Sequence, residues 1–103
     1  MDIQEYANAL AGIIQKSGEG FDIRVRVCGD GDFGRLVDVG FSNGRLMGHV
    51  DFWSSGMIFY GMIDTSREQY NVVDESYMEA LDMSWDEIFE KLKPMIDYIS
   101  ENS

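Results

Sequence analysis

A chain of 103 residues with 45% hydrophobic and 13% aromatic content can bury one domain's core and is too apolar to stay disordered. Its formal net charge of −11, from 19 acids and 8 bases, excludes a surface built to attract nucleic acid or anionic membrane. One cysteine, Cys28, excludes an internal disulfide, and one histidine, His49, leaves no soft-ligand cluster for zinc.

Residues 3–16 carry Ile3, Tyr6, Ala7, Leu10, Ile13 and Ile14 at helical spacing. Asp2 caps the first turn and Glu5 completes the capping pattern. "SGEG" at 17–20 ends the helix, with Gly18 free to take a left-handed conformation. The opening segment is acidic and periodic, unlike a signal peptide, and no apolar run is long enough to span a bilayer, so a cytoplasmic location is expected.

"FDIRVRVC" at 21–28 alternates, with Phe21, Ile23, Val25 and Val27 on one face and Asp22, Arg24 and Arg26 on the other. The loop "GDGDFG" at 29–34 has the spacing of a dinucleotide fingerprint, but it runs into a strand pattern rather than a helix, and Asp30 and Asp32 repel phosphate. It also fails as a calcium loop, because Gly34, Arg35 and Phe41 stand where an oxygen ligand, glycine and Glu are needed. A hairpin loop is the reading that fits.

"RLVDVGFS" at 35–42 is a second strand, with Val37, Val39 and Phe41 on its apolar face. Asn43–Gly44 is a hairpin signal, since both residues tolerate positive φ. "RLMGHVDFW" at 45–53 is a third strand, with Leu46, Val50 and Phe52 on one face and His49 on the other. "MIFYGMID" at 57–64 is a fourth, apolar on both faces as a fully covered central strand would be. "REQYNVV" at 67–73 is a short fifth candidate. Strands at such spacing, with no crossover helix between them, predict an antiparallel meander.

The closing segment returns to helical spacing through Ile88, Phe89, Leu92, Met95, Ile96 and Ile99. Ser84 and Glu87 form a capping box, and Met83 and Ile88 occupy the staple positions. Pro94 should kink or divide this helix near Lys93. A short helix over 76–82, with Ser76 and Glu79 repeating the capping pattern, is the weaker expectation before it. The fold class is therefore α+β: a four- to five-stranded antiparallel meander, with an N-terminal helix and a Pro-kinked C-terminal helix packed on it.

Charge is uneven. Residues 51–103 hold 12 acids and 3 bases, and residues 74–90 hold seven carboxylates with no Lys or Arg. Asp74, Glu75, Glu79, Asp82, Asp86, Glu87 and Glu90 form a candidate acidic surface, with Tyr77 and Trp85 as candidate aromatic anchors. Trp85 has a second reading, packed back on the sheet. Catalysis is the minority reading: it would need a cleft holding His49 beside a carboxylate of perturbed pKa, and no nucleophile motif accompanies that histidine. No cofactor, metal or catalytic residue is expected. Arg24 and Arg26 share a strand face, but the overall charge argues against an RNA-binding sheet.

The length near 100 residues, the helix "IQEYANALAGIIQK", the hairpins through "GRLMGHVDFW" and "GMIFYGMIDTSREQYNVVDE", and the acidic helix "SWDEIFEKLKPMIDYI" together resemble the small immunity proteins of bacterial contact-dependent growth inhibition and related polymorphic toxin systems. The group that neutralises tRNA-cleaving toxin domains is the nearest in pattern. The resemblance implies a noncatalytic cytoplasmic inhibitor that binds a cognate, basic toxin domain, without contacting nucleic acid or membrane itself. The alternative is an acidic adaptor or a small-ligand-binding regulatory domain, which should show a defined apolar pocket.

Overall fold

The computed structural model describes residues 2–31, 34–67 and 72–102, with Asp30 and Gly31 described by their backbone alone. It has an α+β fold. Helix α1 (Ile3–Ser17) is followed by strands β1 (Asp22–Gly31), β2 (Gly34–Ser42), β3 (Leu46–Trp53), β4 (Met57–Asp64) and β5 (Val72–Glu79), then helix α2 (Trp85–Asn102). The strands form one antiparallel sheet in the order β1-β2-β3-β4-β5, each pairing with its neighbour in sequence.

Both helices lie on the same face of this sheet. Along α1, Ile3, Ala7, Leu10 and Ile14 form the buried stripe; along α2, Ile88, Leu92, Met95, Ile96 and Ile99 do. They close over Val37, Val39, Phe41, Leu46, Val50, Phe52, Ile58, Tyr60 and Met62 in one continuous hydrophobic core. Each Val, Leu, Ile, Phe or Met among them contributes on the order of 1.5–3 kcal/mol on burial. The two helices also meet each other: Tyr6 of α1 stacks on Trp85 of α2 at a ring separation of 5.0 Å.

The helix starts follow their capping residues. The Asp2 carboxylate accepts the Glu5 N–H at 3.1 Å. Ser84 Oγ accepts the Glu87 N–H at 3.2 Å while Glu87 Oε1 accepts the Ser84 N–H at 3.4 Å, a reciprocal capping box. At the end of α1, Gly18 is extended and Gly20 takes the positive φ instead, at 76°. Pro94 does not divide α2, which continues from Trp85 to Asn102 with the proline on its exposed side. Only one backbone donor is lost there, at a position where solvent can serve the freed carbonyl.

Four expectations about the strands and their connections change. The β2–β3 turn is closed by the Asn43 N–H donating to the Leu46 carbonyl at 3.1 Å, so its two central residues are Gly44 (φ 89°) and Arg45. Asn43 acts through its side chain: Oδ1 accepts the N–H groups of Arg45 and Leu46 at 3.0 and 2.7 Å. Strand β5 lies later than the periodicity of 67–73 predicts, and residues 68–71 of that segment fall outside the described residues. Ser76 and Glu79 consequently belong to a strand, and the short helix over 76–82 is not formed; cross-strand pairing with β4 from Met57↔Glu79 to Met62↔Asp74 outweighs the local capping pattern. Finally, β4 is neither central nor covered on both faces. It lies between β3 and β5, and only its Ile58, Tyr60 and Met62 side faces the helices. The hairpin loop expected at 29–34 shrinks to the connection between the paired Gly31 and Gly34, and its Asp32 and Phe33 lie outside the described residues.

Candidate functional site

The sheet face opposite the helices carries no covering element among the described residues. Strand alternation and register place its side chains in rows across the strands. One row runs Arg26, Asp38, Asp51, Phe59, Tyr77; the next runs Arg24, Gly40, His49, Gly61, Glu75; a third holds Met47, Ile63 and Val72. Across the sheet the arginines of this face stand on β1, Asp38 and Asp51 at its centre, and Glu75 and Glu79 on β5.

The centre of this face is polar and crowded. Asp38 and Asp51 are direct cross-strand partners. Arg26 donates to Asp38 Oδ2 at 2.6 Å, and His49 Nδ1 lies 3.2 Å from Asp51 Oδ1. Burial raises the Asp38 pKa, the neighbouring Asp51 carboxylate raises it further, and Arg26 opposes both. Burial also acts to raise Asp51, but its bonds to His49 and Asp38 win and hold it low. The bond to Asp51 raises His49 against the effect of burial, with help from the charges of Asp51, Asp38 and Glu75. Of the two carboxyls, Asp38 is therefore the one that keeps a proton longer.

Glycines shape the surroundings of His49. Gly40 and Gly61 are its cross-strand neighbours on either side, so no directly opposed side chain crowds the imidazole. A methyl group added at Gly61 would lie 3.4 Å from His49 Nε2. One shallow, open depression of about 310 Å³ falls on the β4 side of the ring, lined by Met47, Gly61, Ile63 and Glu75 among others. Another, on the β1 side, is lined by Arg24, Arg26, Asp38 and Gly40. His49 thus has the carboxylate neighbours that acid–base chemistry would require, but its one side-chain hydrogen bond among the described residues is to Asp51, and no serine, threonine or cysteine is bonded to it.

Comparison with protein-family models, with curated proteins and with solved structures returns no match to this chain. The site is therefore read from its own residues.

The sequence-derived acidic set divides between two sides of the molecule. Glu75, Tyr77 and Glu79 alternate on the open sheet face, where Tyr77 is 60% exposed and its ring centroid is 6.0 Å from that of Phe59. Asp74 is on the other side of β5, opposite Met62. Asp82 is exposed in the connection to α2. Asp86, Glu87 and Glu90 lie on the exposed side of α2, which packs on the far face of the sheet. Trp85 is half-buried between Tyr6 and Phe89, so its ring contributes to the seam between the helices.

Asp38, Asp51 and Phe59 carry the centre of the open face and did not stand out in the sequence. The available signal was β4 itself: "MIFYGMID" places Phe59 and Ile63 on the side away from the core, where a strand with one wet face would carry polar residues.

Proposed function

We propose that this protein is a noncatalytic inhibitor of the immunity type, which binds a basic nuclease-type toxin domain in the cytoplasm through its uncovered sheet face and the acidic residues of β5. The observation that carries this reading is the apolar and aromatic content of a bare sheet face. Exposed Tyr77 with half-buried Phe59, and exposed Met47 and Val72 with half-buried Ile63, form two apolar clusters on either side of Gly61 and Glu75, with Glu79 beyond Tyr77. Aromatic anchors within a charged rim are the composition of protein-binding hot spots.

Charge supports a basic partner. A chain of net charge −11 attracts a positive surface over long range, and opposite fields raise association rates toward about 10⁸–10⁹ M⁻¹s⁻¹ at low salt. A toxin domain that cleaves RNA presents such a surface, and an acidic inhibitor competes there with the substrate phosphates. Because the acids occupy two sides, the contact centres on β5, with Asp82 and the start of α2 reached only by a partner that extends around that edge. The open, shallow form of the depressions favours a protein partner over a small ligand, which takes a more enclosed site.

The test is growth rescue. The C-terminal domain encoded by the gene immediately upstream is expressed from an inducible promoter, with and without this protein. Rescue by the wild type and its loss in the double variant Tyr77→Ala/Glu79→Lys is the expected result. If the wild type gives no rescue, or the variant rescues equally well, the reading is wrong.

A further inference from the structure

We infer that Asp38, His49 and Asp51 form a binding site for a divalent cation in the middle of the open sheet face. Each residue offers one ligand atom, and the three atoms lie within 4.8 Å of one another. Two carboxylates and an imidazole are a donor set for a hard to borderline cation such as Mn²⁺ or Zn²⁺. The set is converged by the fold, because Asp38 and Asp51 are opposed across β2 and β3, and His49 is two residues from Asp51 on the same face.

A second observation points to a missing positive partner. Asp38 is 5% exposed, and its Oδ1 is buried without a hydrogen-bond partner among the described residues. A buried carboxylate oxygen left unpaired is costly. Arg26 satisfies only Oδ2, and its own side chain is 63% exposed. A proton shared with the opposed Asp51 is the other way to serve the Asp38 carboxyl, and a bound cation would take the place of that proton. A cation held by the Asp38 carboxylate together with Asp51 and His49 would neutralise the buried charge and relieve the repulsion between the carboxylates. The glycines on either side of His49 leave the remaining coordination positions open to water or to a donor from a partner.

The site is independent of the partner proposed above, and its test uses the protein alone. Mn²⁺ is titrated into the ¹⁵N-labelled full chain, and paramagnetic broadening is followed by amide signal. Signals of Asp38, His49 and Asp51 should broaden first, and Zn²⁺ should restore them by displacing Mn²⁺. Asp51→Asn and His49→Gln should each weaken binding at least about ten-fold, a loss of the size typical for perturbed metal sites. Asp86→Asn/Glu90→Gln, which removes acids from the outer side of α2, should leave it unchanged. Circular dichroism and thermal melts verify that each variant folds. Broadening spread equally over Asp82, Asp86 and Glu90, or affinity unaltered in both Asp51→Asn and His49→Gln, would overturn the site.

Discussion

Arg45 holds Asp64 in a two-pronged ion pair: Nε and Nη2 donate to Oδ1 and Oδ2 at 3.1 and 3.0 Å. Asp64 has no exposed surface, and it also accepts bonds from the Ser66 N–H, the Ser66 hydroxyl and the Tyr98 hydroxyl, the last at 2.6 Å. Arg45 continues to the carbonyl of Asn102 at 3.0 Å. One carboxylate therefore ties the β2–β3 turn, the end of β4 and the last turns of α2 together. A buried carboxylate is tolerable only with this full complement of donors.

The same network makes stability depend on acid. The bond from Arg45, followed by those from Ser66 and Tyr98, holds the Asp64 pKa well below the usual carboxylate range. A pKa lower in the folded than in the unfolded state gives stabilisation that is present in full above the unfolded value, about 3.9, and lost as pH falls toward the folded one. Urea melts from pH 6 down to pH 2 should show falling stability. Asp64→Asn should lower stability at pH 6 and flatten that slope. An unchanged slope in Asp64→Asn would remove Asp64 from the account of acid sensitivity.

Gly48 should resist substitution. Its cross-strand partner Phe41 lays its ring over the glycine, and a Cβ at this position would also stand 2.7 Å from the carbonyl oxygen of Gly61. Backbone cannot yield as a side-chain tip can. Gly48→Ala should cost about 1–3 kcal/mol in a denaturant melt. Gly40→Ala, where nothing lies within 4 Å of the added methyl group, should cost clearly less.

The cap and stripe of α2 should separate by size of effect. Ser84→Ala removes the capping hydroxyl from an exposed helix start and should cost about 0.5–2 kcal/mol. Leu92→Ala opens a void under the centre of the same helix and should cost about 2–5 kcal/mol. Equilibrium unfolding of both variants checks the order.

Open-face substitutions should show the opposite profile. Tyr77→Ala removes an exposed ring on the edge strand and should change stability by no more than about 0.5–1 kcal/mol, while abolishing binding to the basic partner proposed above. A thermal melt and a binding titration on one preparation measure both. A large stability loss would mean that the ring serves the fold rather than a partner.

The elements that were legible in the sequence are those with a strong local period. The stripe Ile3, Ala7, Leu10, Ile14 and the Ser84–Glu87 capping box are written within one helix each, and β1 to β4 alternate or run apolar over eight or more residues. Strand β5 was harder, because "VVDESYME" carries the Ser–x–x–Glu pattern of a helix start and becomes a strand only through pairing with β4. The Asp38–Asp51–His49 cluster was harder still, since it depends on register. A two-residue turn at Asn43–Gly44 would have set Asp38 opposite His49. The turn at Gly44–Arg45, held by the Asn43 side chain, sets Asp38 opposite Asp51 instead. A single residue's displacement in the turn decides which charges meet six positions away.

Placing both helices on one side of the sheet has a consequence for how such a molecule can change. Side chains at alternate positions of every strand answer to the core, and those between them answer to whatever the bare side meets. A substitution at Phe59, Glu75, Tyr77 or Glu79 leaves the packing of Phe52, Ile58 or Leu92 untouched. The bare side can therefore be rewritten one residue at a time on an unaltered scaffold.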